Sequence, residues 1–131
     1  LNRNFIRLFL LTVSLIAVIG VMGCSSQSRS EQQVKDHLTD YLKALENKDV
    51  ETMVKLTDDI RFPDKEEQKN QYNSINQNIK NTSIKELKLI SETEYLGMVS
   101  LIEDDKEREI SFPVKKIDNQ WKIIVGHTIR N

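Results

Sequence analysis

Three hydrophobic patterns follow one another along this chain, and each predicts a different element. From Leu8 to Met22 the residues LFLLTVSLIAVIGVM carry no charge, with Arg3 and Arg7 ahead of them. A helix of that length spans ~22 Å at about 1.5 Å per residue, short of the roughly 30 Å hydrocarbon core of a bilayer. A basic start, a short apolar run and the small Gly23 at its end form the pattern of a secretory signal peptide, distinct from a membrane span. Ser25 to Ser30 (SSQSRS) has no apolar period and reads as a short flexible tether.

The second pattern has a helical period. Ser30 is placed to cap a helix, and Val34, Leu38, Tyr41, Leu42 and Leu45 recur on one face while Lys35, Asp36, Asp40 and Lys43 lie off it. Asn47-Lys48-Asp49 interrupts the face. Asp49 then suits the N-cap of a shorter helix carrying Val50, Met53, Val54 and Leu56. Asp58 to Phe62 is a brief strand or an extended link ended by Pro63. From Asp64 a third helix is expected, with Tyr72, Ile75 and Ile79 as its apolar stripe. Its amides (Gln68, Asn70, Gln71, Asn73, Asn76, Gln77, Asn78) read as a solvated face.

The third pattern alternates. Ile84 to Ser91 and Tyr95 to Glu103 are strand candidates. Ile110, Phe112 and Val114 then alternate with Glu109, Ser111 and Lys115, and Trp121 and Ile123 alternate with Lys122 and Ile124. Asp104-Asp105 and Asp118-Asn119 suit tight turns, because Asp and Asn tolerate left-handed backbone. Pro113 lacks an N–H, which predicts an edge strand or a bulge. Helices followed by a meander of strands predict an α+β domain, with N-terminal helices packed on an antiparallel sheet.

Composition narrows the partners. Arg3 and Arg7 are the only charges before Cys24, so the rest of the chain holds 17 basic against 20 acidic side chains, a net charge of −3. That balance argues against nucleic acid, which calls for a clustered basic surface. The ~107 residues that follow Cys24 suffice for one modest core. Cys24 is the sole cysteine, so an internal disulfide is excluded.

Val21-Met22-Gly23-Cys24 resembles the lipobox of bacterial lipoproteins. The resemblance implies cleavage between Gly23 and Cys24 and a diacylglycerol on the Cys24 thiol, which becomes the mature N-terminus. Two or more acyl chains, at about 0.8 kcal/mol per buried methylene, make a stable membrane anchor. The alternative is an uncleaved N-terminal anchor with an incidental cysteine. Leu1, where Met is expected, reads as an alternative start codon translated literally. The Lys-, Asn- and Ile-rich composition leans towards a Gram-positive cell membrane.

The first helix, the Asn47-Lys48-Asp49 turn, the short helix and the closing hairpin Asp118-Asn119-Gln120-Trp121-Lys122-Ile123 resemble the nuclear transport factor 2-like superfamily. The resemblance covers nearly all of residues 31–127. It implies a curved sheet wrapped round a long helix to make a cone, often with an apolar pocket. Tyr41, Phe62, Tyr72, Phe112 and Trp121 are either plain core or, if a pocket exists, its lining. The runner-up fold is a cystatin-like helix on a sheet with no pocket.

Candidate chemistry is sparse. Enzymes of that superfamily, such as ketosteroid isomerase, need a buried Asp or His with a tuned pKa. His37 lies at the edge of the first helix's apolar face, roughly 80° from its centre at about 100° per residue. His127 follows the last strand near the chain end. Asp58 and Asp59 follow the second helix and are expected to solvate its exit. No spacing suits a metal site, and Gly97 and Gly126 stand alone, so neither a metal nor a cofactor is implied.

The strand from Tyr95 is apolar on both faces, with Tyr95, Val99 and Leu101 on one and Leu96, Met98 and Ile102 on the other. Ile90 and Ile124 also fall off the better alternating faces. One set packs on the helices. The other marks a homodimer or envelope-protein interface, or lies under the chain itself.

The resulting expectation is a non-enzymatic, membrane-anchored extracytoplasmic module that binds a ligand or protein. Its alternatives are a small-molecule enzyme on a ketosteroid-isomerase-like cone and a structural or regulatory partner of an envelope protein. Replacing Cys24 by Ser is expected to leave the precursor unprocessed and free of a palmitate label, read by metabolic labelling and gel mobility.

Overall fold

The computed structural model describes residues 22–126, with side chains from Ser26 onward. The expected signal segment through Val21, and His127 near the end, lie outside the described residues. The chain divides between Ser30 and Glu31 into two units, and the fold set out below is that of the second.

Helix α1 runs Met22–Asn47. Ser30 was expected to cap it but lies within it, and Ser25 to Ser30, expected as an irregular tether, are helical. Serine costs a helix only about half a kcal/mol relative to alanine, and propagation from a formed helix is cheap. From Glu31 onward the helix has one dry face: Val34, Leu38, Tyr41, Leu42 and Ala44 are buried. Lys48 ends it in the left-handed conformation (φ 55°), and the Asp49 N–H reaches back to the Ala44 carbonyl at 2.9 Å. Asp49 also opens helix α2, Val50–Leu56, accepting from Thr52 N at 3.2 Å and Thr52 Oγ1 at 2.6 Å.

Strand β1 is only Thr57–Asp59. Helix α3, Lys65–Ser74, starts at the Asp64 cap, whose carboxylate accepts from Glu67 N at 2.9 Å. It stops earlier than the apolar spacing predicts. Ile75 is already extended (ψ 122°), so Asn76 to Asn78 form a link and Ile79 begins a strand. Asn side chains compete for backbone partners and favour such breaks.

Four strands follow: β2 Ile79–Ser91, β3 Glu94–Glu103, β4 Lys106–Ile117 and β5 Gln120–Val125. The sheet order is β1-β5-β4-β3-β2. It is mixed, which corrects the all-antiparallel expectation: β1 runs parallel to β5, with Thr57 opposite Ile123 and Asp59 opposite Val125. The parallel pair arises because β1 is filled in beside β5 only after a long return through α3 and the whole meander. Both Asp104-Asp105 and Asp118-Asn119 have φ of 48° and 65°, as two-residue I′ hairpin turns require.

β4 is interior, so Pro113 is not on an edge strand. It faces Leu96 on β3, while pairing with β5 covers only Val114 to Ile117. Its missing N–H costs little because it stands one residue beyond that ladder.

The α1 face packs on Tyr95, Val99 and Leu101 of β3, Phe112 and Val114 of β4, and Trp121 and Ile123 of β5. Each such side chain contributes about 1.5–3 kcal/mol by leaving water. The other face of β3 is half-buried. Leu96, Met98 and Ile102 lie between Lys88, Glu86 and Lys80 on one side and Pro113, Ser111 and Glu107 on the other. The long stems of such charged side chains cover apolar surface. Ile124 is buried, so it belongs to no exposed patch, whereas Ile90 is 50% exposed. Three register shifts interrupt the β2 edge, which makes it a poor template for another strand.

Gly97 lies where α1 crosses β3. A Cβ there would stand 2.5 Å from Leu38 Cδ2, inside a fully buried neighbour. Replacing Gly97 by Ala is therefore expected to cost about 1–2 kcal/mol, measured as a lower urea midpoint with an unchanged slope.

Candidate functional site

Asp59 ends β1 with its side chain fully buried. The chain turns immediately, with Phe62 N bonding the Asp59 carbonyl at 3.0 Å, and this turn swings Arg61 back over the carboxylate. Oδ1 accepts from Arg61 N at 3.0 Å and Nε at 2.9 Å; Oδ2 accepts from Arg61 Nη2 at 2.7 Å and the Tyr72 hydroxyl at 2.7 Å. All four lone-pair positions are thus occupied. Burial by itself would raise this carboxyl's pKa, but the hydrogen bonds from Arg61 and Tyr72 outweigh it and hold the group below its ordinary value. The expectation that Asp59 solvates a helix exit is overturned, while its neighbour Asp58 is half-buried on the opposite side of the strand.

A second buried set lies alongside. Gln68 Nε2 donates to Thr57 Oγ1 at 2.8 Å, which in turn donates to the Met53 carbonyl at 2.7 Å. Lys65 Nζ reaches both the Thr57 carbonyl and Gln68 Oε1, at 3.2 and 3.0 Å. Gln68, read from sequence as solvated, is fully buried. The signal for it was present: Gln68 precedes Tyr72 by four residues and so shares its helix face.

Beside this polar seam opens a cavity of about 160 Å³. Tyr41, Met53 and Tyr72 form its buried wall, and Leu45, Val50, Ile79 and Val125 its half-buried sides. The exposed Lys48, Arg61, Ile75 and Gln77 ring its mouth. The Tyr41 hydroxyl makes no hydrogen bond among the described residues, and no fully buried polar side-chain atom among them lacks a partner, so this oxygen keeps some exposure on a residue that lines the cavity. Burial raises its pKa strongly, reinforced by the neighbouring Tyr72 and Asp59. Burial and the bond to Asp59 push Tyr72 up to about 12. Both phenols are protonated donors at neutral pH.

Of the five aromatic side chains considered for a pocket, Tyr41 and Tyr72 line this one. Phe112 stands behind Tyr41, edge to face at 5.6 Å between centroids. Trp121 packs edge to face on Tyr95, also at 5.6 Å, on the far side of the core. Phe62 is half-buried under the Arg61 guanidinium, 5.3 Å from its carbon.

His37 borders a separate, shallower polar groove with Asp36, Asp40, Lys55 and Trp121. Its Nε2 lies 3.0 Å from the Leu56 carbonyl; a carbonyl only accepts, so Nε2 carries the proton. Lys122 Nζ bonds the adjacent Lys55 carbonyl at 2.6 Å. Together they satisfy the end of α2. Burial lowers the His37 pKa, offset in part by the Leu56 carbonyl.

Cys24 and Gly23 lie in the first turn of α1, where the backbone alone is described. Among the described residues no helix is long and apolar enough to cross a membrane, and no group of three or more His, Cys, Asp or Glu side chains converges as metal ligands. Comparison with protein-family models finds no match, and comparison with curated proteins finds none.

Two outcomes follow. Removing Asp59 (Asp59→Ala) is expected to cost about 3 kcal/mol, because it strips the partner from Arg61 and Tyr72 at once; chemical denaturation measures it. His37, whose folded pKa is depressed, adds stability that is complete above its unfolded value of about 6.5. That contribution falls away as pH drops through the folded pKa. A His37→Gln variant is expected to show a flatter stability profile between pH 7.5 and 5.

Proposed function

We propose that this protein is a lipoprotein held at the extracytoplasmic face of a Gram-positive cell membrane by acyl chains on Cys24, and that its α+β domain binds a small ligand without catalysing its conversion. The anchor rests on the Val21-Met22-Gly23-Cys24 lipobox and the charge-free run ahead of it. The binding function rests on one observation: a half-open cavity with apolar walls of Met53, Leu45 and Ile79, lined also by Tyr41, whose hydroxyl makes no hydrogen bond among the described residues. Mostly apolar walls with a few placed polar groups are what small-molecule sites share. The nuclear transport factor 2-like cone is the finer fold reading; helices laid on a five-stranded sheet with a cavity between them agree with it.

A non-catalytic role is supported by the state of Asp59. A general base needs a free lone pair and a pKa near working pH, and Asp59 has four donors on it and a lowered pKa. Its part is to hold Arg61 and Tyr72 in place. A second reading, a protein partner on the sheet, draws on the exposed Leu89 and Ile90 at the end of β2. The interrupted β2 edge and the half-buried outer face of β3 give that reading less to stand on.

The methyl groups of Met53 and Met98 make the test, since one lies in the cavity and the other on the outer sheet face. In full-length protein held in phosphatidylcholine nanodiscs, benzyl alcohol is expected to shift the ¹³C-methyl signal of Met53 saturably and to leave Met98 in place. Equal, unsaturable drift of both signals would refute a ligand site at this cavity.

A further inference from the structure

We infer that the ligand is an amphipathic anion: a short aryl or alkyl tail seated in the cavity, with an acceptor-rich, negatively charged head at its mouth. This rests on the reading of the cavity as a ligand site and adds the class of molecule it takes.

The polar groups at the site are almost all donors. Arg61 has five N–H groups and gives two side-chain bonds to Asp59, so its guanidinium is not used up, and its side chain is 53% exposed. The exposed Lys48 lines the same mouth, and Tyr41, whose hydroxyl has no hydrogen bond among the described residues, lines the interior. Gln77 supplies the one side-chain amide, and the lining includes no carboxylate among the described residues. Asp59 balances Arg61 from behind, and Lys48 makes no ion pair among the described residues. The nearest sequence neighbour of opposite sign, Asp49, is committed to Thr52 through both oxygens.

Of the carbonyls at the end of α1, the natural competitors for a cation, two are already capped. Lys48 N and Asp49 N bond the Leu45 and Ala44 carbonyls. A neutral head can accept from these donors but leaves the two cations without a counter-charge, and a cationic head meets like charge. A carboxylate or phosphate satisfies them in charge and hydrogen-bonding sense at once.

Size limits the tail. The cavity holds about 160 Å³, close to the roughly 150 Å³ of an apolar cavity that accepts one benzene. One ring or a chain of about six carbons fits, and a steroid or a full-length lipid chain does not.

The test uses full-length protein in phosphatidylcholine nanodiscs, with the Met53 methyl signal as readout and Met98 as internal reference. The probes are 3-phenylpropionate and its neutral isostere 3-phenylpropionamide. Both are expected to shift Met53, the carboxylate with at least threefold lower Kd, an advantage that shrinks as salt is raised. Lys48→Asn removes the charge and suits the left-handed turn at that position. It is expected to weaken the carboxylate about threefold and leave the amide unchanged, a size typical of one exposed charge pair. An amide that binds as tightly as the carboxylate, or a variant that weakens both probes alike, overturns the anion while the cavity stands. No saturable shift from either probe overturns the cavity reading itself.

Discussion

A carboxylate taken out of water must be met by donors, and the placement of Asp59 organises much of the helical side of this fold. It terminates the three-residue strand that joins the helices to the sheet. The donors that meet it come from the turn just after it and from α3, thirteen residues on. Without them the burial of that charge would cost several kcal/mol. With them, the carboxylate fixes where Arg61 and Tyr72 stand, and hence one wall and one side of the mouth of the cavity.

The same seam explains why α3 lies where it does. Its apolar content is poor: Tyr72 and Gln68 are its buried residues, and one is there for its hydroxyl as much as its ring. Polar pairing to β1 does what an aliphatic stripe does for α1. A helix held by hydrogen bonds can stop against a hollow, because it does not need every neighbouring volume filled with side chains. The cavity lies on this side of the domain, its Tyr41 wall backed by Phe112, whereas the Tyr95–Trp121 pair packs apart from it.

Catalysis and binding make opposite demands on such a group. An acid–base residue must keep a proton in play near neutral pH; Asp59 has been driven the other way, to permanent charge and full pairing. The groups left over at the cavity belong to Tyr41, Arg61 and Lys48, which can all donate hydrogen bonds. His37, the other titratable group of interest, caps the end of α2 from a different groove.

Local pattern was enough for the long dry face of α1, the Asp49 cap, a helix starting at Asp64, the two tight turns and the strands of the meander from Ile84 onward. Each depends on residues close in sequence and on side-chain geometry that repeats every 3.6 or two positions. The parallel pairing of β1 with β5, the interior position of β4 around Pro113 and the early end of α3 were decided by partners far along the chain. So was the fate of Asp59: two adjacent aspartates after a helix look alike until β1 pairs, turning one inward to meet Tyr72 and leaving the other half in water. Local sequence states which backbone a segment prefers, but whether a polar side chain meets water or a distant donor is known only once the layers have closed.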